Sequence, residues 1–293
     1  MSRLELVDAL LTGDPRARGR VLDAGTGGGH MTALLAARRP VELVSVSLDD
    51  SSFARAGERL PAGAVDRVVF ILGDLADPGF LAGRTFDLVV GDYLLAAVAG
   101  HRPFREDQVL RSLVSRLARD GLLVLTGMEP FEPRRSREGE VVWAILRWRD
   151  ALAILGGDEP YREVPGWWAA ERLREAGMKA REPLHSEPLR WSPAGLRAVA
   201  DSGLRAAGRA GDPRVLSTAR ARLGALCREA EGLARSGGKD GRLAWGRDWV
   251  VLAGPSASGP ARGEPGGPGA ERTSQQPSGP RQRGSTLVEY HTV

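Results

Sequence analysis

The feature that most constrains this chain is a run of glycines between an apolar strand and an apolar helix: Val21-Leu22-Asp23-Ala24-Gly25-Thr26-Gly27-Gly28-Gly29-His30. Glycine lets the backbone turn tightly and lets a ligand come close where side chains would block it. The helix that follows offers its free N–H groups to that ligand. Taken alone, the turn also fits a plain strand-to-helix connection, so the flanking pattern has to decide.

That pattern is an alternation. Residues 3–11 carry Leu4, Val7, Leu10 and Leu11 at helical spacing, and Gly13-Asp14-Pro15 ends them in a turn. Strands are expected at 20–24, 41–47, 67–72, 86–90 and 122–126, with helices at 30–38, 51–60 and 105–118 between them. Asp50 or Ser51 can cap the helix at 51–60. Short apolar strands separated by helices predict a parallel sheet built from right-handed crossovers. Past residue 127 the pattern loosens. Helices are expected at 141–155, 167–176 (ended by Gly177), 193–207 and 213–234, where Asp212 caps and Pro213 takes the first helical position. A strand can lie within 180–190, and 248–253 reads as a final strand.

At 293 residues, 42% hydrophobic and 27% charged, the chain can build a packed core and is not wholly disordered. Lys+Arg 41 against Asp+Glu 37 leaves +4, too mild for a strong nucleic-acid or membrane field. The single cysteine, Cys227, excludes an internal disulfide framework and a Cys-rich zinc site, and no metal is expected. The N-terminal stretch carries acids among its apolar residues, unlike a secretory signal, and no apolar run reaches a membrane span. The expected location is the cytoplasm. Residues 254–293, rich in Pro, Gly and Ser, read as a disordered tail.

Two kinds of nucleotide-type ligand compete for the glycine turn. A dinucleotide asks for GxGxxG, and His30 stands where its third glycine belongs. VLDAGTGGG instead resembles the first motif of the class I S-adenosylmethionine (SAM) dependent methyltransferases, hhDxGxGxG. The resemblance continues in register through Leu72-Gly73-Asp74-Leu75, the strand Phe86-Asp87-Leu88-Val89-Val90-Gly91-Asp92 and Arg119-Asp120-Gly121-Leu122-Leu123-Val124-Leu125. It covers about residues 17–130 well, and 167–251 loosely. It implies a doubly wound, seven-stranded, mostly parallel α/β sheet of the Rossmann-like methyltransferase fold, in order 3-2-1-4-5-7-6 with strand 7 antiparallel. The implied organisation is a methyltransferase domain over 1–253, with its core at 17–130. A substrate or lid region at about 128–168 and a helical insertion at about 193–236, open to a cap or a dimer role, elaborate it.

The resemblance also implies an enzyme using SAM as cofactor. The turn with Gly25, Thr26, Gly27 and Gly29 would lie against the methionine and ribose part, and Asp23 would help orient the loop and the amino group, often through water. Asp49 would take the ribose hydroxyls, displaced two residues from the usual place at Ser47, and helix capping by Asp49 and Asp50 is its bland alternative. Asp74 and Leu75 would meet the adenine, and Asp92 would complete the cofactor set.

Methyl transfer from a sulfonium is an in-line displacement, needing alignment, exclusion of water and at times removal of a proton. The methyl is expected at the end of the fourth strand, where Asp92, Tyr93 and His101 are the catalytic candidates. His101 also reads as an ordinary loop histidine, and Tyr93 as a packing residue. Glu129 and His185 are weaker candidates. Trp143, Trp148, Trp167 and Trp168 could line a pocket or pack a core. Arg134, Arg135 and Arg137 could meet an acidic substrate or simply face solvent.

A small-molecule acceptor is expected, because Gly91-Asp92-Tyr93-Leu94 is not the [DNS]-P-P-[YFW] of nucleic-acid amino-group methylases. Cys227 lies mid-helix, away from any strand end where a cytosine methylase keeps its nucleophile. The alternatives are an RNA or protein methyltransferase, a SAM-binding scaffold without turnover, and a nicotinamide oxidoreductase. The oligomeric state stays open.

Overall fold

The computed structural model describes residues 1–209, 212–237 and 239–255. Five strands alternate with helices as the sequence predicts. They are β1 (Arg20–Ala24), β2 (Glu42–Ser47), β3 (Val68–Leu72), β4 (Phe86–Asp92) and β5 (Leu117–Met128). The helices are α1 (Arg3–Leu11), α2 (His30–Ala37), α3 (Ser51–Arg59), α4 (Leu94–His101) and α5 (Glu106–Ser115). There follow α6 (Arg137–Leu155), α7 (Gly166–Glu175), β6 (Met178–Ala180), β7 (Leu184–His185) and β8 (Arg190–Trp191). The last elements are α8 (Pro193–Gly208), α9 (Pro213–Ser236), β9 (Leu243–Ala244) and β10 (Asp248–Pro255).

The main sheet runs β3-β2-β1-β4-β5-β10-β6, with β7 also paired to β10. The first four contacts are parallel, and β10 is antiparallel to both β5 and β6. This is the expected order, with β10 as the seventh strand. Its side chains alternate between two apolar layers. Leu22, Val44, Val89, Leu123 and Val251 face one layer with Leu110, Leu113 and Leu173. Val21, Leu43, Leu88, Val124 and Val250 face the other, with Val7, Leu11 and Leu35. Both faces are therefore covered, as a parallel sheet requires. β1 and β4 are neighbours although β2 and β3 lie between them in sequence, so the strand order reverses there and a crevice opens at their carboxyl ends.

A third apolar cluster unites α6, α8 and α9: Val142, Ile145 and Leu146 meet Leu196, Val199, Leu223 and Leu226. Helix α6, expected to belong to a lid, thus packs with the helical insertion as one unit. Trp143 and Trp148 pack against this cluster, Trp168 packs against the sheet layer, and Trp167 is exposed.

Three local expectations are corrected. Residues 94–101 form α4, and the helix expected over 105–118 spans only Glu106–Ser115, because β5 already begins at Leu117. Neither Asp50 nor Ser51 caps α3 through its side chain; the Asp49 carboxylate accepts from Ser51 N at 3.0 Å. β10 continues through Gly254 and Pro255, where the tail was expected to begin. The rest of that tail lies outside the described residues. No helix among the described residues is long and apolar enough to cross a membrane.

Candidate active site

The glycine turn follows β1, and its glycines do different work. Gly25, Gly27 and Gly29 all have positive φ, +106°, +48° and +79°. A Cβ at Gly29 would sit 2.3 Å from Ala56 Cα, so this glycine lets α2 approach α3. A Cβ at Gly27 would project into open space, its nearest neighbour Gly25 O at 4.0 Å. No hydrogen bond among the described residues uses the amides of Gly27 or Gly28. Gly25 N and Thr26 N both donate to Val46 O, at 3.1 and 2.9 Å, tying the turn to β2.

Asp23 is fully buried beneath the turn. Its Oδ2 accepts from Thr32 Oγ1 at 2.5 Å and Ser45 Oγ at 2.8 Å, while Oδ1 has no hydrogen-bond partner among the described residues. Burial pushes this carboxyl up to about 7, against the pull of the two hydroxyls, and Asp92 raises it further. Thr26 turns its hydroxyl inward, onto Ser45 Oγ at 2.8 Å and Val46 O at 3.1 Å. The buried Asp23 oxygen with no partner among the described residues can accept from an ammonium, and the two idle amides at the open turn can donate to a carboxylate. The methionine end of SAM fits them both.

The acids that follow β2 and β3 are more exposed than Asp23. The Asp49 carboxylate binds Ser51 Oγ at 2.5 Å and lies 3.7 Å from Arg55 Nη2, and the Ser51 hydrogen bond holds it below the usual carboxylate range. Asp74 Oδ1 accepts from Ala76 N at 2.8 Å, and its Oδ2 is paired with Arg102 Nε at 3.1 Å. Leu75 is buried behind it. His101 lies on the last turn of α4. Its ring stands edge-on to Tyr161, with centroids 6.0 Å apart. Burial and the neighbouring Arg102 lower its basicity, against an opposing pull from Asp49.

Asp92 and Tyr93 sit at the other end of α4. The whole of α4, about 10 Å at 1.5 Å per residue, separates them from His101, so the three catalytic candidates do not form one constellation. What surrounds Asp92 and Tyr93 is a polar cluster that sequence reasoning missed. Thr126 Oγ1 donates to Asp92 Oδ1 at 2.6 Å, and Arg3 Nη1 lies 3.2 Å from the same oxygen. The Arg3 guanidinium also stacks over the Tyr93 ring, 4.3 Å from its centroid. The Tyr93 hydroxyl donates to Asp248 Oδ1 at 2.5 Å. Glu163 Oε2 accepts from Met128 N at 3.2 Å. Tyr93 is held in the left-handed region at φ 50°, ψ 21°, where non-glycine residues seldom sit. Burial raises Glu163 to about 8 and Asp248 to about 6, and it lifts the Tyr93 phenol well above its ordinary value.

One signal for this cluster was readable. A seventh strand antiparallel to the fifth must begin where the fifth ends, which sets Asp248 opposite Met128. Glu129 and His185 pair with each other at 3.0 Å, and Glu129 Oε1 also accepts from Gly166 N at 3.1 Å. They secure the start of α7. Of the basic cluster, Arg134 stacks on Trp143, 4.2 Å from the ring centroid, and Arg137 pairs with Glu140 and Glu229. Together with Arg222 they rim a groove of about 360 Å³ between α6 and α9. Among the described residues no His, Cys, Asp and Glu come together as a metal site.

Residues 21–121 match the family model of a methyltransferase domain. Among solved structures, a candidate methyltransferase from Bacillus halodurans C-125 shares 17% identity at TM-score 0.53, over 85% of this chain and 99% of its own. The YcgJ protein of Bacillus subtilis shares 20% at TM-score 0.51, over 86% of this chain and 97% of its own. At such identities these two likenesses concern the fold. No curated protein matches the sequence. The family match falls on the glycine turn, the two flanking acids and the reversal point between β1 and β4, so it is this part of the chain, residues 21–121, that is similar to a methyltransferase domain.

Proposed function

We propose that this chain is a cytoplasmic enzyme that moves a methyl group from SAM to a small-molecule acceptor held at the carboxyl ends of β4 and β5. The domain is proposed to span 1–253, with 17–130 as its cofactor-binding core, the 128–168 region and the 193–236 helices as its elaboration, and the tail beyond. SAM supplies a methyl on a sulfonium, so that attack on carbon expels a neutral thioether.

The residues prepare that geometry. Gly25, Gly27 and the amides of Gly27 and Gly28 form the wall against which the methionine part lies, and Asp23 Oδ1 receives its ammonium. Gly29 and Thr26 shape the turn through α3 and β2 rather than by contact. Asp49 and Asp74 serve the ribose and the adenine, with Leu75 behind the ring. Asp74 has lone pairs left beside Ala76 N and Arg102 Nε with which to accept from the adenine amino group. Asp92 lies between the two halves of the site, its charge felt by Asp23 on one side and Arg3 on the other.

The observation that carries the small-molecule reading is the enclosure of the polar cluster. Arg3 and Asp92 are only 12% and 13% exposed and Asp248 is 2% exposed, between α1, β4, β5 and β10. A site walled this way suits a compact acceptor better than a polymer strand. The test is calorimetry with SAM and S-adenosylhomocysteine, then transfer from methyl-labelled SAM to RNA, protein and metabolite fractions. Label is expected in the metabolite fraction. Label in RNA or protein alone would overturn the acceptor, and absence of SAM binding would overturn the whole reading.

A further inference from the structure

The polar cluster has an imbalance that the transfer reaction alone does not explain. Charged groups reach it from α1, β4, α6, β10 and the loop before α7. Arg3 comes from α1 and Asp92 from the end of β4. Arg149 faces Glu163 from α6 and is itself 3.1 Å from Asp150, which Arg147 also pairs at 3.3 Å. Asp248 comes from the start of β10. Among the described residues, three carboxyls, Asp92, Glu163 and Asp248, thus lie around the neutral Tyr93 hydroxyl, with the Arg3 guanidinium beside them and Arg149 facing Glu163 from its pair with Asp150. Buried like charges are costly unless matched, and burial accordingly holds the proton on Glu163 up to about 8 and on Asp248 up to about 6, so the excess negative charge develops as Glu163 ionises. At Arg3, both Nε and Nη1 are buried without a hydrogen bond among the described residues, so even this local cation is incompletely engaged.

The three carboxyls are not equivalent. Asp92 is fixed by the Thr126 hydroxyl and Arg3, and Asp248 by the Tyr93 hydroxyl and its own strand position. Among the described residues Glu163 is held by one main-chain amide, Met128 N, and by no side-chain hydrogen bond or ion pair. It lies on the loop before α7, beside the β5 terminus. It is the carboxyl in the cluster whose proton inventory is free to change.

We infer that this cluster is the acceptor subsite, that it takes a basic amine as its substrate, and that Glu163 accepts the proton the nitrogen must lose before it attacks. The inference rests on the proposed position of the SAM methyl near the tip of β4. The amine enters as an ammonium and supplies the missing positive charge. One N–H proton passes to a Glu163 carboxylate oxygen. The freed lone pair forms the nitrogen–carbon bond as the carbon–sulfur bond breaks with its electron pair going to sulfur. The methylated ammonium and the thioether leave, and Glu163 returns its proton to water.

Magnitudes favour nitrogen over oxygen. A carboxylate raised to about 8 lies about two pH units below an alkylammonium near 10.4, a gap a general base can bridge. An unactivated hydroxyl, near water's value of about 15.7, lies far beyond it.

The test uses the full chain. A metabolite extract is split on a cation exchanger at pH 6 into retained, basic compounds and a flow-through, and each is incubated with methyl-labelled SAM. Label is expected in the retained fraction. Glu163→Gln is expected to lower kcat/KM at least about 100-fold with SAM affinity within twofold of the wild type. Its residual rate should keep rising with pH where the wild type has levelled off, and Glu163→Asp should recover at least tenfold of the loss. Label confined to the flow-through, or transfer to neither fraction by enzyme that binds SAM, overturns the inference. So does a Glu163→Gln enzyme of near wild-type activity. Failure to bind SAM at all would instead strike the cofactor reading beneath it. The partition of label by the wild-type chain stands whether or not the variant folds.

Discussion

Two glycines of one motif answer to different forces, and substitution separates them. At Gly27 the space above Cα is open, so the Cβ of Gly27→Val would meet no protein atom closer than 4.0 Å and its methyls would fill the cradle. A side chain at φ +48° costs about 1–2 kcal/mol of stability. We expect calorimetry to show SAM binding lost while urea unfolding shifts only by that amount. At Gly29 the obstacle is Ala56 backbone at 2.3 Å, so Gly29→Ala should cost about 2–4 kcal/mol through overpacking and positive φ together. The reverse outcome, with Gly27→Val unfolding the protein and Gly29→Ala sparing it, would mean the roles have been exchanged. The sequence shows both glycines alike. Only the approach of α3 distinguishes them, and that approach depends on residues about thirty positions away.

At the scale of elements, legibility followed periodicity. The strands announced themselves by apolar runs and turn residues, which is why the order 3-2-1-4-5-7-6 could be expected from the pattern and the resemblance. Helix α4 did not, because LLAAVAGH has no polar face to give a 3.6-residue period and Tyr93 provides no side-chain cap. β5 was cut short because Arg119-Asp120-Gly121 reads as a turn, yet the backbone stays extended through it. The polar cluster was hidden for another reason. Arg3, Glu163 and Asp248 belong to a helix start, a loop and a strand start, and only topology joins them. Helix α1 delivers Arg3 through a capping box, in which Ser2 Oγ accepts from Glu5 N at 3.3 Å and Glu5 Oε2 accepts from Ser2 N at 2.7 Å. Ser2→Ala should weaken that first turn by about 1 kcal/mol. Hydrogen exchange should then show faster exchange at residues 3–7, with reduced turnover and unchanged SAM affinity. Unchanged turnover would mean that Arg3 is not needed in place.

For the molecule as a whole, the buried carboxyls set a pH dependence opposite to the usual one. Asp23 holds its proton up to about 7 in the folded state, against about 3.9 in an unfolded chain. The folded state therefore binds more protons between these values. This contribution is fully present below about pH 4 and is lost as pH rises through 7. The gap between the folded and unfolded values is worth at most about 4 kcal/mol, so a loss on the order of 2–4 kcal/mol between pH 4 and 8 is expected from Asp23. Glu163 and Asp248 act in the same direction. Thermal unfolding of the SAM-free protein at pH 5 and pH 8 measures it. Asp23→Asn keeps acceptors for Thr32 and Ser45 and should narrow the difference, and an unaltered difference would exclude Asp23 as its source.

The interleaving of β10 between β5 and β6 has a consequence for biosynthesis. Everything proposed to grip the methyl donor has been translated by Asp92, whereas the far wall of the reaction site waits for Asp248, 156 residues later. At about 5–20 residues per second, a ribosome needs roughly 8–30 s to cover that distance. During that interval the residues proposed to grip the donor exist without Asp248, so the proposed chemistry becomes possible only once the closing strand has been made.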